Sequence, residues 1–168
     1  MKKYLPAIVA GFGAGVLHVV PITKALTCCL VVPLAAVVAI MLEQKANKLF
    51  GDFDLKRGAI LGVLTGIFAA LFGSLFDIFI TFVTKSNDII FAFKELTEMV
   101  DSIPGPEDVK EQALALMKAV GDSIKETGFS GLYSFSIIFN NLLVDSIFGL
   151  IGGLVGTKVL NARNAKKM

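Results

Sequence analysis

Charged residues are scarce in this chain. Asp, Glu, Lys and Arg make up 18% of its 168 residues, whereas 55% are hydrophobic; a soluble domain has roughly 25% charged residues. The sequence holds no basic stretch with interleaved aromatic residues, so we expect no nucleic-acid partner. It also holds no nucleophile–base pair, glycine-rich phosphate loop or carboxylate cluster, so we expect no enzyme activity. The composition therefore predicts a membrane protein without catalytic function.

The chain has two cysteines, and they are adjacent at Cys28 and Cys29. Neighbouring cysteines rarely bridge each other without strain, and a disulfide framework needs several spaced pairs. We expect both to be small buried hydrophobic residues. Side chains one position apart on a helix point about 100° apart, so we do not expect both to bind one metal ion together with His18. We predict no metal site and no cofactor, although a lone membrane histidine is also a possible axial ligand of haem or a pigment.

Four apolar segments are candidates for membrane-spanning helices, each of which needs roughly 20 apolar residues to cross a hydrocarbon core of about 30 Å. Pro21 ends the first segment because proline lacks the N–H that would continue the helix, and Pro33 should kink the second. The start of the chain resembles a signal peptide without a cleavage site, so we expect the first segment to remain as an anchor. The segments cover residues 4–20, 22–42, 58–84 and 131–160.

An acidic piece, residues 85–129, separates the third and fourth segments. Apolar residues recur at alternating spacings of four and three from Ile89 to Ile103, which is typical of one face of a helix. Pro104-Gly105-Pro106 ends that helix, and a second one runs from Pro106 to Gly128. The predicted fold is all-α: a polytopic membrane protein of four transmembrane helices, with an extramembrane two-helix hairpin between helices three and four. The regions are then 1–84, 85–129 and 130–168.

The distribution of lysine and arginine predicts the orientation in the membrane, because these residues accumulate in cytoplasmic segments close to the bilayer. They cluster between residues 43 and 57 and at the termini, which include Lys2, Lys3, Lys166 and Lys167. In residues 85–129, acidic residues outnumber the lysines. We therefore expect both termini to be cytoplasmic and the hairpin to be extracytoplasmic.

Small residues form a stripe on three of the four predicted membrane helices. At about 100° per residue, each stripe falls on one face of its helix, where small side chains let helix backbones approach closely. We interpret the stripes as packing surfaces; the alternative is a narrow pathway lined by backbone. The glycines concerned are Gly11, Gly15, Gly58, Gly62, Gly66, Gly73, Gly149, Gly152 and Gly156.

Each stripe leads to polar side chains, and these are the candidate intramembrane site: His18, Asp77, Asn141 and Asp145. A carboxylate in hydrocarbon is costly unless it is paired, protonated or hydrated. With a rise of about 1.5 Å per residue, His18 and Asp145 lie at similar depths, and Asp77 and Asn141 lie somewhat further out. We predict the pairs His18–Asp145 and Asp77–Asn141. They are either a proton or cation site or hydrogen bonds that hold the helices together.

Three stretches resemble an uncharacterised family of small prokaryotic membrane proteins. They are residues 21–34 with the Cys28-Cys29 pair, residues 58–66 (GAILGVLTG) and residues 148–156 (FGLIGGLVG). Members of that family have four helices, a Cys-Cys pair in helix two and glycine-rich helices three and four. The resemblance implies a protein of the prokaryotic cytoplasmic (inner) membrane and implies no activity.

Two hypotheses of function follow. The first is a non-enzymatic membrane protein that acts by association, as a homo-oligomer or as an accessory subunit of a membrane complex, because the stripes offer more packing surface than four helices obviously need. The alternative is a small channel or transporter for protons, ions or a small solute, with a polar path near His18 and Asp145. The lipid bilayer is a partner in both.

Overall fold

The computed structural model describes residues 4–24, 26–48 and 52–165. Lys2, Lys3, Lys166 and Lys167, which contribute to the predicted orientation, lie outside these ranges. Within the described part the chain is helical except for short turns, and no residue there belongs to a β-strand, so the predicted all-α class is confirmed. The chain folds into two compact units, Met1–Asp77 with Ile137–Met168, and Ile78–Ser136.

The first unit is built from apolar helices. Pro6 lies in the first turn of α1, where its missing N–H breaks no helical bond. The helices of this unit are α1 (Leu5–His18), α2 (Pro21–Lys24), a π-helix (Thr27–Val31), α3 (Val32–Ala46), most of α4 (Leu55–Thr84) and the second part of α8 (Gly131–Ala165).

The second predicted segment begins and ends later than expected. It starts with the π-helix, in which the Val31 N–H reaches the Leu26 carbonyl at 3.4 Å, and it continues to Ala46 instead of residue 42. Pro33 was expected to kink the interior of a helix. It lies instead in the first turn of α3, directly after the π-helix, and a proline is tolerated at that position.

In the described ranges, three helical stretches are long and apolar enough to span a membrane: Thr27–Ala46, Leu55–Thr84 and Gly131–Ala165. Helix α1 is also apolar but has only 14 residues. Large apolar side chains on these helices point outward, as at Leu34, Leu75 and Val159, whereas small and polar residues such as Ala36 and Thr65 are buried. This inverted distribution suits a lipid environment, where helices pack through small residues.

Glycine brings α4 and α8 into backbone contact. A Cβ added at Gly62 would collide with the carbonyl oxygen of Gly149, and one at Gly66 would collide with the backbone of Asp145. The other glycines of the stripes also face neighbouring helices: Gly11 and Gly15 face α4, Gly58 and Gly149 lie between α4 and α8, Gly73 faces α1, and Gly152 and Gly156 face α3. The packing role predicted for the stripes is thus fulfilled inside the chain.

The second unit contains α5 (Asp88–Phe91), α6 (Phe93–Ser102) and α7 (Glu107–Thr127), with the adjoining ends of α4 and α8. The apolar stripe from Ile89 to Ile103 was expected to be one helix, but a break at Ala92 divides it. Helix α5 has its own cap, because Asn87 Oδ1 accepts the Ile90 N–H at 3.1 Å. Helix α7 starts at Glu107 and ends before Gly128, which has a φ of 80°, as predicted.

The apolar side chains of α7 are buried only in part. Val120 and Ile124 are buried, whereas Val109 and Leu116 are more than half exposed. The second half of α7 is therefore packed more closely than the first. Its Lys110 ammonium instead holds the end of α6 by donating to the Asp101 carbonyl at 3.2 Å.

We predict that Gly62→Ala destabilises the protein and that Gly13→Ala does not. The new methyl group at residue 62 meets the backbone of α8, whereas nothing lies within 4 Å of a Cβ at Gly13. Overpacking costs about 1–3 kcal/mol, and alanine in an open helical position gains up to about 1 kcal/mol over glycine. Thermal unfolding followed by circular dichroism in detergent measures both. Equal melting temperatures for the two variants would contradict the close approach of α4 and α8.

Candidate functional site

His18 is the last residue of α1, and the chain turns directly after it. Pro21 opens the next helix, which has only four residues. The imidazole packs over Gly73 of α4: a Cβ added there would lie 2.8 Å from His18 Cγ and 2.9 Å from His18 Cβ. The absence of a side chain at Gly73 therefore provides the space that the ring occupies.

Asp145 faces the imidazole from the middle of α8. Its Oδ2 lies 2.9 Å from His18 Nε2, with the carboxylate side chain 1% and the imidazole 13% exposed. The two atoms are at ion-pair distance but are not aligned as a hydrogen bond, and neither has a hydrogen-bond partner elsewhere in the described part of the chain. The predicted pair His18–Asp145 is thus confirmed as a buried contact whose polar atoms are incompletely satisfied.

Asp77 pairs with a residue that was not among the predicted site residues. Lys24, at the end of α2, places its Nζ 3.0 Å from Asp77 Oδ1. The predicted Asp77–Asn141 pairing is wrong, because Asn141 donates instead to the Ser74 hydroxyl at 3.0 Å. The sequence signal was present: Lys24 is the one Lys, Arg, Asp or Glu residue between Tyr4 and Leu42.

All four predicted site residues line one cavity of about 210 Å³. Lys24, Cys28 and Asn140 also line it, with Ile137 and Val144 as apolar walls. The cavity thus brings together two carboxylates, one ammonium group, one imidazole and two amides. Two carboxylates against one ammonium group leave a net negative charge while His18 is neutral, so the site favours a proton or another cation over an anion.

The two cysteines differ from the expectation that both are buried. Cys28 is half-buried and Cys29 is exposed. Their sulfur atoms are 3.4 Å apart, so these adjacent side chains do meet within the π-helix, although the rotation of a regular helix would direct them apart. In the described ranges, however, no group of three His, Cys, Asp or Glu residues is arranged to hold a metal ion.

A second buried ion pair lies at the other end of the first unit. Arg57 donates from Nε to Glu43 Oε1 at 2.8 Å and places Nη2 at the same distance from that oxygen. The guanidinium also lies over the Tyr4 ring, 5.9 Å from its centroid. Both residues lie outside the predicted segments 22–42 and 58–84 but within the observed helices, because α3 includes Glu43 and α4 includes Arg57.

An asparagine fixes the chain that precedes α4. Asn161 of α8 accepts the Phe53 N–H through Oδ1 at 2.9 Å and donates through Nδ2 to the Phe53 carbonyl at 3.0 Å. Both backbone groups of one loop residue are thereby satisfied by one side chain, and Phe53 packs into a core with Ala7, Ile40, Leu61 and Leu160. This end is closed and structural, in contrast to the cavity around Asp145.

No protein-family model, curated protein or solved structure matches this chain. The resemblance of residues 21–34, 58–66 and 148–156 to a four-helix family therefore stays a prediction, and a proposal of function rests on the geometry of the site.

We predict that Arg57→Met destabilises the protein by roughly 3 kcal/mol, because it leaves the Glu43 carboxylate buried without its partner. The double variant Glu43→Met/Arg57→Met should be more stable than Arg57→Met, since no unpaired charge remains. Denaturant unfolding in detergent gives the three free energies. Glu107→Gln is the control, because Glu107 is 87% exposed in its contact with Lys110 and surface pairs contribute little. A double variant no more stable than the single one would contradict the importance of the buried charge.

Proposed function

We propose that this chain is a small membrane transporter or channel that carries a proton or another small cation through a site formed by His18 and Asp145. The observation that supports this proposal is the buried, incompletely hydrogen-bonded contact between these two side chains at the wall of a polar cavity. Ionisable groups buried among apolar membrane helices are costly and commonly mark ion pathways.

The topology that we propose has four crossings, with both termini in the cytoplasm of a prokaryotic cell and residues 85–129 outside. Helix α1, with 14 residues, is about 21 Å long, so α2 and the turn at Pro21 complete a short first crossing. Helices α4 and α8, with 30 and 35 residues, are roughly 45 and 52 Å long. Both therefore exceed a hydrocarbon core of about 30 Å and would carry α5, α6 and α7 beyond it.

The positive-inside rule supports the orientation. The basic residues near Arg57 and Arg163 then face the cytoplasm, whereas the acidic residues of α6 and α7 face outward. In this orientation the cavity lies in the outer half of the membrane. Asn161 lies roughly 24 Å from Asp145 along α8, and Arg57 lies roughly 24 Å from Gly73 along α4. Both residues mark the cytoplasmic end.

The chemistry of the pair suits proton transfer. An imidazole can both accept and donate a proton, and Nε2 of His18 lies beside a carboxylate oxygen of Asp145. A proton that enters the cavity finds Nε2 of His18 or Oδ2 of Asp145 as acceptor, 2.9 Å apart. The ion pair Lys24–Asp77 flanks the cavity, and in the described ranges no Lys or Arg side chain is at ion-pair distance from Asp145.

Association into a homo-oligomer or a larger membrane complex is the untested alternative to this proposal. It was based on surplus packing surface, but the glycines of the stripes make their contacts within the chain, so the stripes no longer support it. We expect the mass of the protein in a gentle detergent complex to equal one chain. A defined higher assembly, measured by native mass spectrometry, would restore the association hypothesis.

We predict that proteoliposomes containing the protein conduct protons or small cations and that Asp145→Asn reduces this flux at least tenfold, because the carboxylate that binds the cation is lost. A pH-sensitive dye inside the vesicles measures the proton flux, and exchange of the external salt tests other cations. Asp108→Asn is the matched control, since it removes the same charge from an exposed position on α7. Flux at the level of empty vesicles for the unmodified protein would refute the proposal.

A further inference from the structure

The cavity around Asp145 has the size and composition of a site for a small organic molecule. Its volume of about 210 Å³ equals roughly seven water molecules at about 30 Å³ each, which is far more than a proton or a bare ion needs. It is also smaller than drug-binding pockets, which span about 300–1,000 Å³. Ile137 and Val144 supply apolar walls beside the carboxylates and the amides of Asn140 and Asn141.

The charge of the cavity selects the class of molecule. Asp77 is compensated by Lys24, whose Nζ lies 3.0 Å from it, whereas among the described residues the cation-forming side chain at ion-pair distance from Asp145 is the imidazole of His18. The cavity already contains one contact between an alkylammonium group and a carboxylate, which is the ion pair of Lys24 with Asp77. A second alkylammonium ion would find the same arrangement at Asp145, together with apolar contacts for its hydrocarbon part.

We propose that the cavity binds a small primary alkylammonium ion at Asp145 in exchange for the proton of His18; this rests on the proposed function. While His18 is protonated, its Nε2–H faces Asp145 Oδ2 and the imidazolium neutralises the carboxylate. An entering ammonium ion donates a hydrogen bond to the Asp145 carboxylate and remains charged. His18 then releases its proton to solvent. One cation enters and one proton leaves, so the charge of the site is unchanged.

Other titratable groups line the cavity together with His18, one from each of the other elements that form it. Helix α2 contributes Lys24, the π-helix contributes Cys28, α4 contributes Asp77 and α8 contributes Asp145. Lys24 and Asp77 compensate each other. His18, which lies 2.9 Å from Asp145, is therefore the group whose proton competes with an external cation for that carboxylate.

The space left by the missing side chain of Gly73 allows His18 to lie against Asp145 for this exchange. A Cβ at Gly73 would lie within 3 Å of two atoms of the histidine side chain, so Gly73→Ala should displace the ring from Asp145. Gly73 acts through His18 and is a positioning residue. In Gly73→Ala we expect ammonium binding to persist and the number of released protons to fall, whereas a purely structural role would weaken binding without changing that number.

The test is calorimetric titration of the full chain in detergent with n-butylammonium chloride, in two buffers of different ionisation enthalpy. Near pH 5 we expect binding with the release of about one proton, and near pH 8 tighter binding with almost none. A single competing proton weakens binding by up to tenfold per pH unit below its pKa. His18→Gln should bind butylammonium with no proton release and no pH dependence, and Asp108→Asn should behave as the unmodified protein does.

The outcomes separate this inference from the proposed function. Asp145-dependent flux in vesicles without butylammonium binding would overturn the inference and leave the proposed function intact. If sodium chloride produced the same heat and the same proton release as butylammonium chloride, the proposed substrate class would be wrong. If butylammonium bound without proton release, the proposed exchange would be wrong. Absence of both binding and flux would remove both. Because Asp145→Asn leaves a buried histidine without its partner, the decision rests on the unmodified protein and His18→Gln, whose folding is checked by circular dichroism.

Discussion

The backbone contact between α4 and α8 is the constraint on which the rest of the first unit depends. Membrane helices associate without a hydrophobic driving force, so their stability comes from close van der Waals contact and hydrogen bonds between helices. Gly62 and Gly149 allow the two backbones to touch, and Gly66 receives the backbone of Asp145 itself. This places the Asp145 carboxylate within reach of α1, and Gly73, two turns further along α4, leaves space for the imidazole that meets it.

The helical faces and the central pair could be predicted from the sequence, because a regular helix has a fixed rise and a fixed rotation per residue. His18 and Asp145 were placed at similar depths by that rule alone, and they form a contact. The partner of Asp77 was missed because Lys24 stands on a four-residue helix after a proline, where no periodicity fixes the direction of a side chain. The Glu43–Arg57 pair was missed because each residue lies near a helix end that the hydrophobic pattern placed incorrectly.

The ion pairs Glu43–Arg57 and His18–Asp145 differ in geometry, because Arg57 donates a hydrogen bond to Glu43 whereas His18 and Asp145 lie 2.9 Å apart without that alignment. Arg57 keeps its charge at every pH that a cell experiences, so its contact with Glu43 is permanent and serves to fix α3 against α4. An imidazole can both accept and donate a proton, which suits the pair His18–Asp145 to a different role. His18 and Asp145 lie on α1 and α8 and line the cavity, whereas Glu43 and Arg57 lie on α3 and α4 and are not among its lining residues.

The π-helix at Thr27–Val31 could not be predicted, because a hydrogen bond from residue i+5 to residue i has no characteristic residue pattern; such wide turns are often found at functional sites. Its presence makes the length of this segment more important than its composition. A π-turn holds one residue more than an α-helical turn, so loss of one residue between Thr27 and Val31 would restore ordinary α-helical winding while Val32 and Ala36 kept their places. Cys28, which lines the cavity, lies on this wide turn. A substitution here changes one contact, whereas a one-residue deletion would narrow the turn itself and alter the cavity wall.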